Sequence, residues 1–459
     1  MKFSIREIAV YERQVKLRMP FRFGIVTLTD APQAFVRARI RLENGKEAEG
    51  GAAELLAPKW FDKDPALTNE QNFDQLRASL ALAREAYLAA GVNTAYGHFI
   101  ANYEPQISAA AKKGLNSLVA CYGPALIDRA LLDALCRALG IAFYDAVRKN
   151  VVGIADLAGF DMDDFLAGLR PRQAIAARHT VGLVDPITVH EAKLADGLPE
   201  SLDQVIERYG HRWFKLKVGG DIAADVDRLS TIASVLDRIA EPYHATLDGN
   251  EQYDDVDSIL ALWQRIGDEP RLNRLASSIV FIEQPIKRSR ALASDISALA
   301  AEKPVIIDES DDSLDAFPRA RRLGYTGVSS KTCKGLYKSI LNAARCRMWN
   351  GEEGVNRYFM SGEDLTIQAG LALQQDLALV SLLGMTHVER NGHHYVNGMA
   401  GLPEEEQRAF LRGHDDLYEH SHGAVRVRIV NGELQIRSLA VRGYASAVLP
   451  DWKSMRQAR

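Results

Sequence analysis

The sequence predicts an α/β chain in which a smaller α+β domain precedes a (β/α) barrel of the TIM type. Three observations predict it. Beyond Pro171, short apolar strands alternate with helical windows eight times over, the rhythm of a parallel sheet closed on itself. Charged residues stand at the C-terminal ends of these strands at intervals of 23 to 35 residues, about one strand–helix unit each. Before Pro171 the chain is first strand-rich and then Ala-rich and helical, which separates that segment from the barrel rhythm.

The size and composition suit this organisation. A chain of 459 residues with 47% hydrophobic and 25% charged residues can bury one large core and a second, smaller one. Its formal net charge of −4 argues against a general attraction to nucleic acid or to anionic membrane, so small molecules are the expected partners. Cys121, Cys136, Cys333 and Cys346 include no CxxC pair and have no histidine at metal-ligand spacing, so reduced thiols and a cytoplasmic setting are expected. Met1 to Lys16 lacks the apolar core of a signal peptide, and no run reaches membrane-spanning length.

Taken in order, Ile5–Tyr11 and Gln33–Leu42 read as strands, the second ending at the hairpin signal Glu43-Asn44-Gly45. Between them Met19-Pro20-Phe21-Arg22-Phe23-Gly24-Ile25-Val26 reads as a lid-like loop carrying aromatic and basic residues. Helical patterning runs from about Glu70 to Lys149. The barrel strands are expected at Ala174–Val181, Trp213–Val218, His244–Leu247, Ser278–Ile282, Val305–Ile307, Gly327–Ser329, Tyr358–Met360 and Met385–Val388. The tail alternates again from Ala424 to Ile436 and is expected to return to the first domain. Residues 1–165, 166–423 and 424–459 are thus the expected first domain, barrel and tail.

The centre of the pattern is Arg212-Trp213-Phe214-Lys215-Leu216-Lys217-Val218-Gly219-Gly220. At the strand period of two, Lys215 and Lys217 share one face, opposite Phe214, Leu216 and Val218. Two ammonium groups on one face of an apolar strand need anions nearby. Asp248, Glu283 and Asp308 follow on the next three units, and Lys331, Glu363 and Glu389 on the last three. Three converging carboxylates call for a cation, and all-oxygen ligation favours Mg2+.

The local strings Leu247-Asp248-Gly249-Asn250, Ile282-Glu283-Gln284-Pro285, Ile307-Asp308-Glu309-Ser310 and Ser330-Lys331-Thr332-Cys333-Lys334, joined to the Lys-x-Lys strand, resemble the enolase superfamily, and within it the muconate lactonizing enzyme-like subgroup. The mandelate racemase subgroup uses a histidine from strand seven, whereas this strand ends Ser361-Gly362-Glu363-Asp364, which points to the lysine–lysine subgroup. The resemblance implies an α+β capping domain, a modified TIM barrel and a tail that returns to the cap. It also implies abstraction of the proton alpha to a carboxylate, giving an enediolate, with one Mg2+ held by Asp248, Glu283 and Asp308. Lys217 and Lys331 are then the acid–base pair, and Lys215 stabilises charge and lowers the pKa of its neighbour. Racemisation or epimerisation, cycloisomerisation and dehydration all remain open.

Arg22, Asn250, Glu363, Glu389 and Asn391 are the expected substrate contacts. Dipeptide epimerases of the subgroup carry Asp-x-Asp after strand eight, where this chain has Glu389-Arg390-Asn391, so a dipeptide substrate is not favoured. His393 and His394 follow that strand within reach of the rim. Glu309 is expected in a supporting role and Lys334 at a solvated helix start. The late position of Lys-x-Lys implies an insertion in the cap near residues 58–120. Expected partners are a small-molecule carboxylate and further copies of the chain in a homo-oligomer, with no nucleic acid and no membrane. The competing readings are an aldolase or lyase on the same barrel and a non-catalytic carboxylate-binding barrel.

Overall fold

Alternation of apolar and polar residues dominates the start of the chain, and the structure, a computed structural model describing residues 1–23 and 26–458, turns it into a long antiparallel meander. Strand β1 (Lys2–Phe23) pairs with β2 (Val26–Leu42), and β2 with β3 (Glu47–Leu55). The turn from β2 to β3 is the expected hairpin, closed by Leu42 N–H on Lys46 O at 2.9 Å, with Gly45 at φ 84°. The expected loop from Met19 to Val26 is instead the tip of the β1–β2 hairpin; Gly24 and Ile25 lie outside the described residues. Pro20 is accommodated because the register shifts between Lys16 and Phe21, a position where a strand forgoes ladder bonds.

A short strand β4 (Asn93–Thr94) joins β1, and three helices cover this sheet: α1 (Asn69–Ala89), α2 (Ala95–Lys112) and α3 (Ser117–Leu139). Helix α1 starts in a capping box of Thr68 and Gln71, and Asn116 caps α3. Strand β3 escapes prediction because Gly50-Gly51-Ala52-Ala53 carries almost no strand propensity. Those small residues let α3 approach: a Cβ on Gly50 would stand 2.2 Å from Ala134 N.

The second sheet is the barrel. Strands β5 (Ala174–Val181), β6 (Trp213–Lys217), β7 (His244–Asp248), β8 (Ile279–Glu283), β9 (Val305–Ile307), β10 (Gly327–Ser330), β11 (Phe359–Gly362) and β12 (His387–Arg390) are each parallel to the next, and β12 pairs back onto β5. All eight fall within two residues of the expected bounds at either end. The sequence made them readable because β6 to β12 each carry a charged or polar residue at, or one position beyond, the C-terminal end. Phe214, Leu216 and Val218 enter the core between the barrel wall and its helices, leaving Lys215 and Lys217 to point inward.

The tail divides its contacts. Strands β13 (Tyr418–Ser421) and β14 (Ala424–Val427) form a hairpin, β15 (Glu433–Gln435) runs antiparallel to β5 of the barrel, Arg442 and Gly443 bridge to Ala142 of the cap, and β16 (Arg456–Gln457) joins β1 of the cap. The return to the cap therefore comes later than the alternation from Ala424 to Ile436 suggested. Among the described residues no helix is long and apolar enough to cross a membrane.

Candidate active site

Each inward-facing residue at the C-terminal end of a barrel strand reaches one of two layers. In the lower layer Lys215 Nζ lies among four carboxylates: Asp248 at 2.9 Å, Glu283 at 2.7 Å, Glu363 at 2.7 Å and Glu389 at 2.9 Å. Burial works against a charged Lys215, but these acids outweigh it and hold the ammonium well above the ordinary lysine range. Lys217 Nζ shares the same Asp248 Oδ2, at 2.5 Å. Across the barrel, Lys331 Nζ meets Asp308 Oδ2 at 2.5 Å and lies 4.4 Å from the centre of the Trp60 ring. Burial depresses Lys331, and Asp308 more than offsets this.

Lys217 closes β6 and Lys331 follows β10, four strands away in a closed ring of eight, so the two lysines approach from opposite sides. Both border one small cavity of about 20 Å³. Its floor and walls include Asn250, Asp364, Thr366, Glu389 and Asn391, and the cap closes it with Phe21, Phe23, Leu28, Ala57 and Trp60. That volume is room for roughly one water molecule, so a substrate enters only when the cap contacts give way.

Asp248 and Glu283 are cross-strand partners on β7 and β8, and Asp308 immediately follows β9. Lys217 and Lys215 depress Asp248 against the effect of its burial, and Lys331 and Lys334 do the same for Asp308. Glu283 is different. It is completely buried, and Lys215, though close, lies off the line of a hydrogen bond, so both Glu283 oxygens lack a hydrogen-bond partner. Burial and then the charges of Asp248 and Glu363 push this carboxyl well above its ordinary range. A fully buried carboxylate pair with two orphaned oxygens, flanked by two more acids, fits a hard divalent cation with oxygen ligands.

The expected substrate contacts divide. Asn250, Glu389 and Asn391 border the cavity; Oδ1 of Asn250 and of Asn391 have no partner. Glu363 does not border it. Its oxygens are taken by Lys215, Arg178 and Ser361, which hold it down to about 2 against burial, and it belongs to the buried layer beneath. Its neighbour Asp364 borders the cavity instead, raised by burial to about 6. Arg22 is exposed, because strand alternation turns Phe21 and Phe23 inward and Arg22 out.

Lys215 also lies below the cavity rather than on it, so its charge is spent first on four acids. Lys334 is buried, not solvated, bonding Ser329 Oγ at 2.6 Å and Asp311 at 3.0 Å. Glu309 accepts from Asn250 Nδ2 at 3.3 Å and Lys63 Nζ at 3.2 Å. Gln284 braces the loop after β9, accepting from Asp308 N and Ser310 N at 2.8 and 3.1 Å. His393 and His394 pack against the His179 ring and are not among the residues bordering the cavity.

Sequence reasoning missed Trp60, Lys63, Arg178 and Asp364. Trp60 and Lys63 belong to a cap segment with no periodicity to flag them. Arg178 could have been found, since Arg178 and Thr180 alternate with apolar neighbours on β5 as Lys215 and Lys217 do on β6.

Known proteins bear on this arrangement at two levels. By sequence, no curated protein matches. By fold, the chain is similar to a mandelate racemase/muconate lactonizing protein from Herpetosiphon aurantiacus, at 17% identity and TM-score 0.59 over 96% of this chain and 98% of that one. It is similar also to the muconate lactonizing enzyme from Pseudomonas fluorescens, solved with muconolactone, at 17% identity and TM-score 0.60 over 98% and 97% of the two chains. A dipeptide epimerase from Cytophaga hutchinsonii, solved with Mg and the dipeptide D-Ala-L-Val, matches at 16% identity and TM-score 0.60 over 100% and 99%. A model of the family described as enolase C-terminal domain-like matches residues 197–436, more than half of the chain. The chain therefore belongs to that family, and is an enzyme of the enolase superfamily of the mandelate racemase/muconate lactonizing type.

Proposed function

We propose that this enzyme moves the proton alpha to the carboxylate of a small substrate, using Lys217 and Lys331 as opposed acid and base, and that it racemises or epimerises that carbon. The observation that carries the reading is the pair itself: two lysines four strands apart on a closed ring, bordering one cavity. In this reading one lysine, neutral, takes the proton from one face, and the C–H electron pair passes into the carboxylate. The other, as ammonium, returns a proton to the opposite face, which inverts the centre.

Asp248, Glu283 and Asp308 would hold Mg2+, a reading supported by the orphaned oxygens of Glu283. When bound, the ion supplies positive charge beside the substrate carboxylate as that group gains electron density. Lys215 keeps the surrounding acids from overwhelming that charge. Asn250 and Asn391, with free amide oxygens, would orient polar substrate groups, and Phe21, Phe23, Leu28 and Trp60 would receive an apolar substituent.

The test is exchange of the substrate alpha proton in deuterated solvent with Mg2+ present, followed by NMR across N-acyl amino acids, acid sugars, dipeptides and lactone precursors. Lys217→Ala and Lys331→Ala are each expected to lose exchange on one enantiomer by two to four orders of magnitude, in line with the usual contribution of an acid–base group. Full exchange in both variants would overturn the reading. Exchange without inversion would favour cycloisomerisation or dehydration, in which a single lysine moves the proton.

A further inference from the structure

A second group of titratable side chains lies behind the barrel wall. On β5, Arg178 and Thr180 point into the barrel, so His179 between them points out. His211 stands just before β6 and His393 just after β12, and β12, β5 and β6 are neighbours in the ring. One ring nitrogen from each of the three lies within 4.8 Å of the other two. His179 and His211 are 2% and 0% exposed.

These rings are poorly satisfied. His179 Nδ1, His211 Nε2 and both nitrogens of His393 are buried without a hydrogen-bond partner. His211 Nδ1 lies 2.9 Å from Ala177 O, and because a carbonyl only accepts, Nδ1 carries the proton and Nε2 presents its lone pair. That is the outer-shell contact that orients a metal-binding imidazole. Several orphaned nitrogens converging in one buried spot are costly unless something binds them. The nearby guanidiniums are already paired, Arg18 with Asp196 at 2.5 Å and Arg390 with Asp376 and Asp364.

We propose that His179, His211 and His393 form a site for Zn2+ or a similar borderline divalent cation, separate from the carboxylate site inside the barrel. Donor chemistry distinguishes the two: imidazole nitrogens suit zinc, whereas the carboxylate oxygens suit Mg2+. Three imidazoles and a water complete a tetrahedron, in which nitrogens roughly 3.3 Å apart follow from Zn–N bonds of about 2.05 Å. The ion would tie the turn after β12 to β5 and to β6, the strand that carries Lys215 and Lys217. That turn also bears Asn391 and Tyr395, and Tyr395 packs on Phe21 of the cap at 4.2 Å between ring centres, so the site would stiffen the base of the lid.

The test uses the full chain, stripped of transition metals by chelation, saturated with Mg2+ and titrated with Zn2+. The expected result is one equivalent of zinc retained through gel filtration, a raised Tm, and a four-coordinate visible absorption when Co2+ replaces zinc. His393→Gln, at the least buried of the three positions, is expected to weaken retention at least tenfold, while His394→Gln, outside the set, retains it. No retained zinc in the parent, or equal retention in His393→Gln, overturns the proposal. Should His393→Gln fold poorly, a Co2+ spectrum of the parent without the four-coordinate nitrogen-donor signature overturns it independently.

Discussion

Lys215 and Lys217 differ by two positions and share an oxygen of Asp248, yet their substitution should differ sharply in its effect on stability. Lys215 neutralises four buried acids, so Lys215→Met leaves Glu363 and Glu389 facing each other and Asp248 facing Glu283 without their common cation. Removing one partner of a buried ionic cluster typically costs about 3–5 kcal/mol. Urea unfolding of metal-free Lys215→Met should show a loss of that order, with Lys217→Ala within about 1 kcal/mol of the parent because its group borders the cavity and water can replace it. Equal losses in the two would show that the cluster is not organised around Lys215. The inward pair and the three acids were legible because strand alternation and unit spacing are one-dimensional signals. Arg22 was misread because only the hairpin register reveals that Phe21 and Phe23 take the inner face. Glu363 was misread because its partner Arg178 comes from a strand 185 residues away.

At the scale of elements, the barrel strands announced themselves and β3 did not, and the reason is that β3 serves its neighbour. Its glycines and alanines are chosen for contact with α3, and a helix partner leaves no trace in local strand propensity. The tail behaves likewise: one of its anchors is a histidine at the end of the helix Glu404–Gly413. His414 Nε2 accepts from Ala447 N at 3.1 Å, and Nδ1 bonds Ser438 Oγ at 3.0 Å, so the ring must be neutral to hold both. Burial lowers it from 6.5 to about 4. Because the folded value is the lower one, the unfolded chain binds more protons between these limits. The stabilisation is therefore complete above about pH 6.5 and is lost as pH falls toward 4. The Tm of the parent should fall more steeply over that window than the Tm of His414→Gln. Parallel curves would mean that another group governs the acid limb.

Across the whole molecule, the site is assembled from two units that meet along the loop 60–63, and the contact is held by charge. Arg288, from the barrel, donates to Trp60 O at 2.7 Å and Phe61 O at 2.9 Å while paired to Glu251 at 2.8 Å. Lys63, from the cap, reaches back to Glu251 at 2.6 Å and to Asn250 O at 2.7 Å. Trp60 is thus fixed over Lys331, and a cavity of about 20 Å³ is what remains beneath it. Substrate entry must part these bonds, and re-forming them excludes water from the lysines. In Arg288→Ala the loop loses two charge-assisted bonds while Glu251 keeps Lys63, so the fold should survive and closure should weaken. The expected outcome is a KM raised about tenfold, equivalent to about 1.4 kcal/mol, with kcat within about threefold. Amide hydrogen exchange over residues 60–67 should quicken without matching change in the barrel strands. An unchanged KM with faster exchange would mean that this loop is a hinge of the fold and that closure over the lysines rests on the β1–β2 hairpin alone.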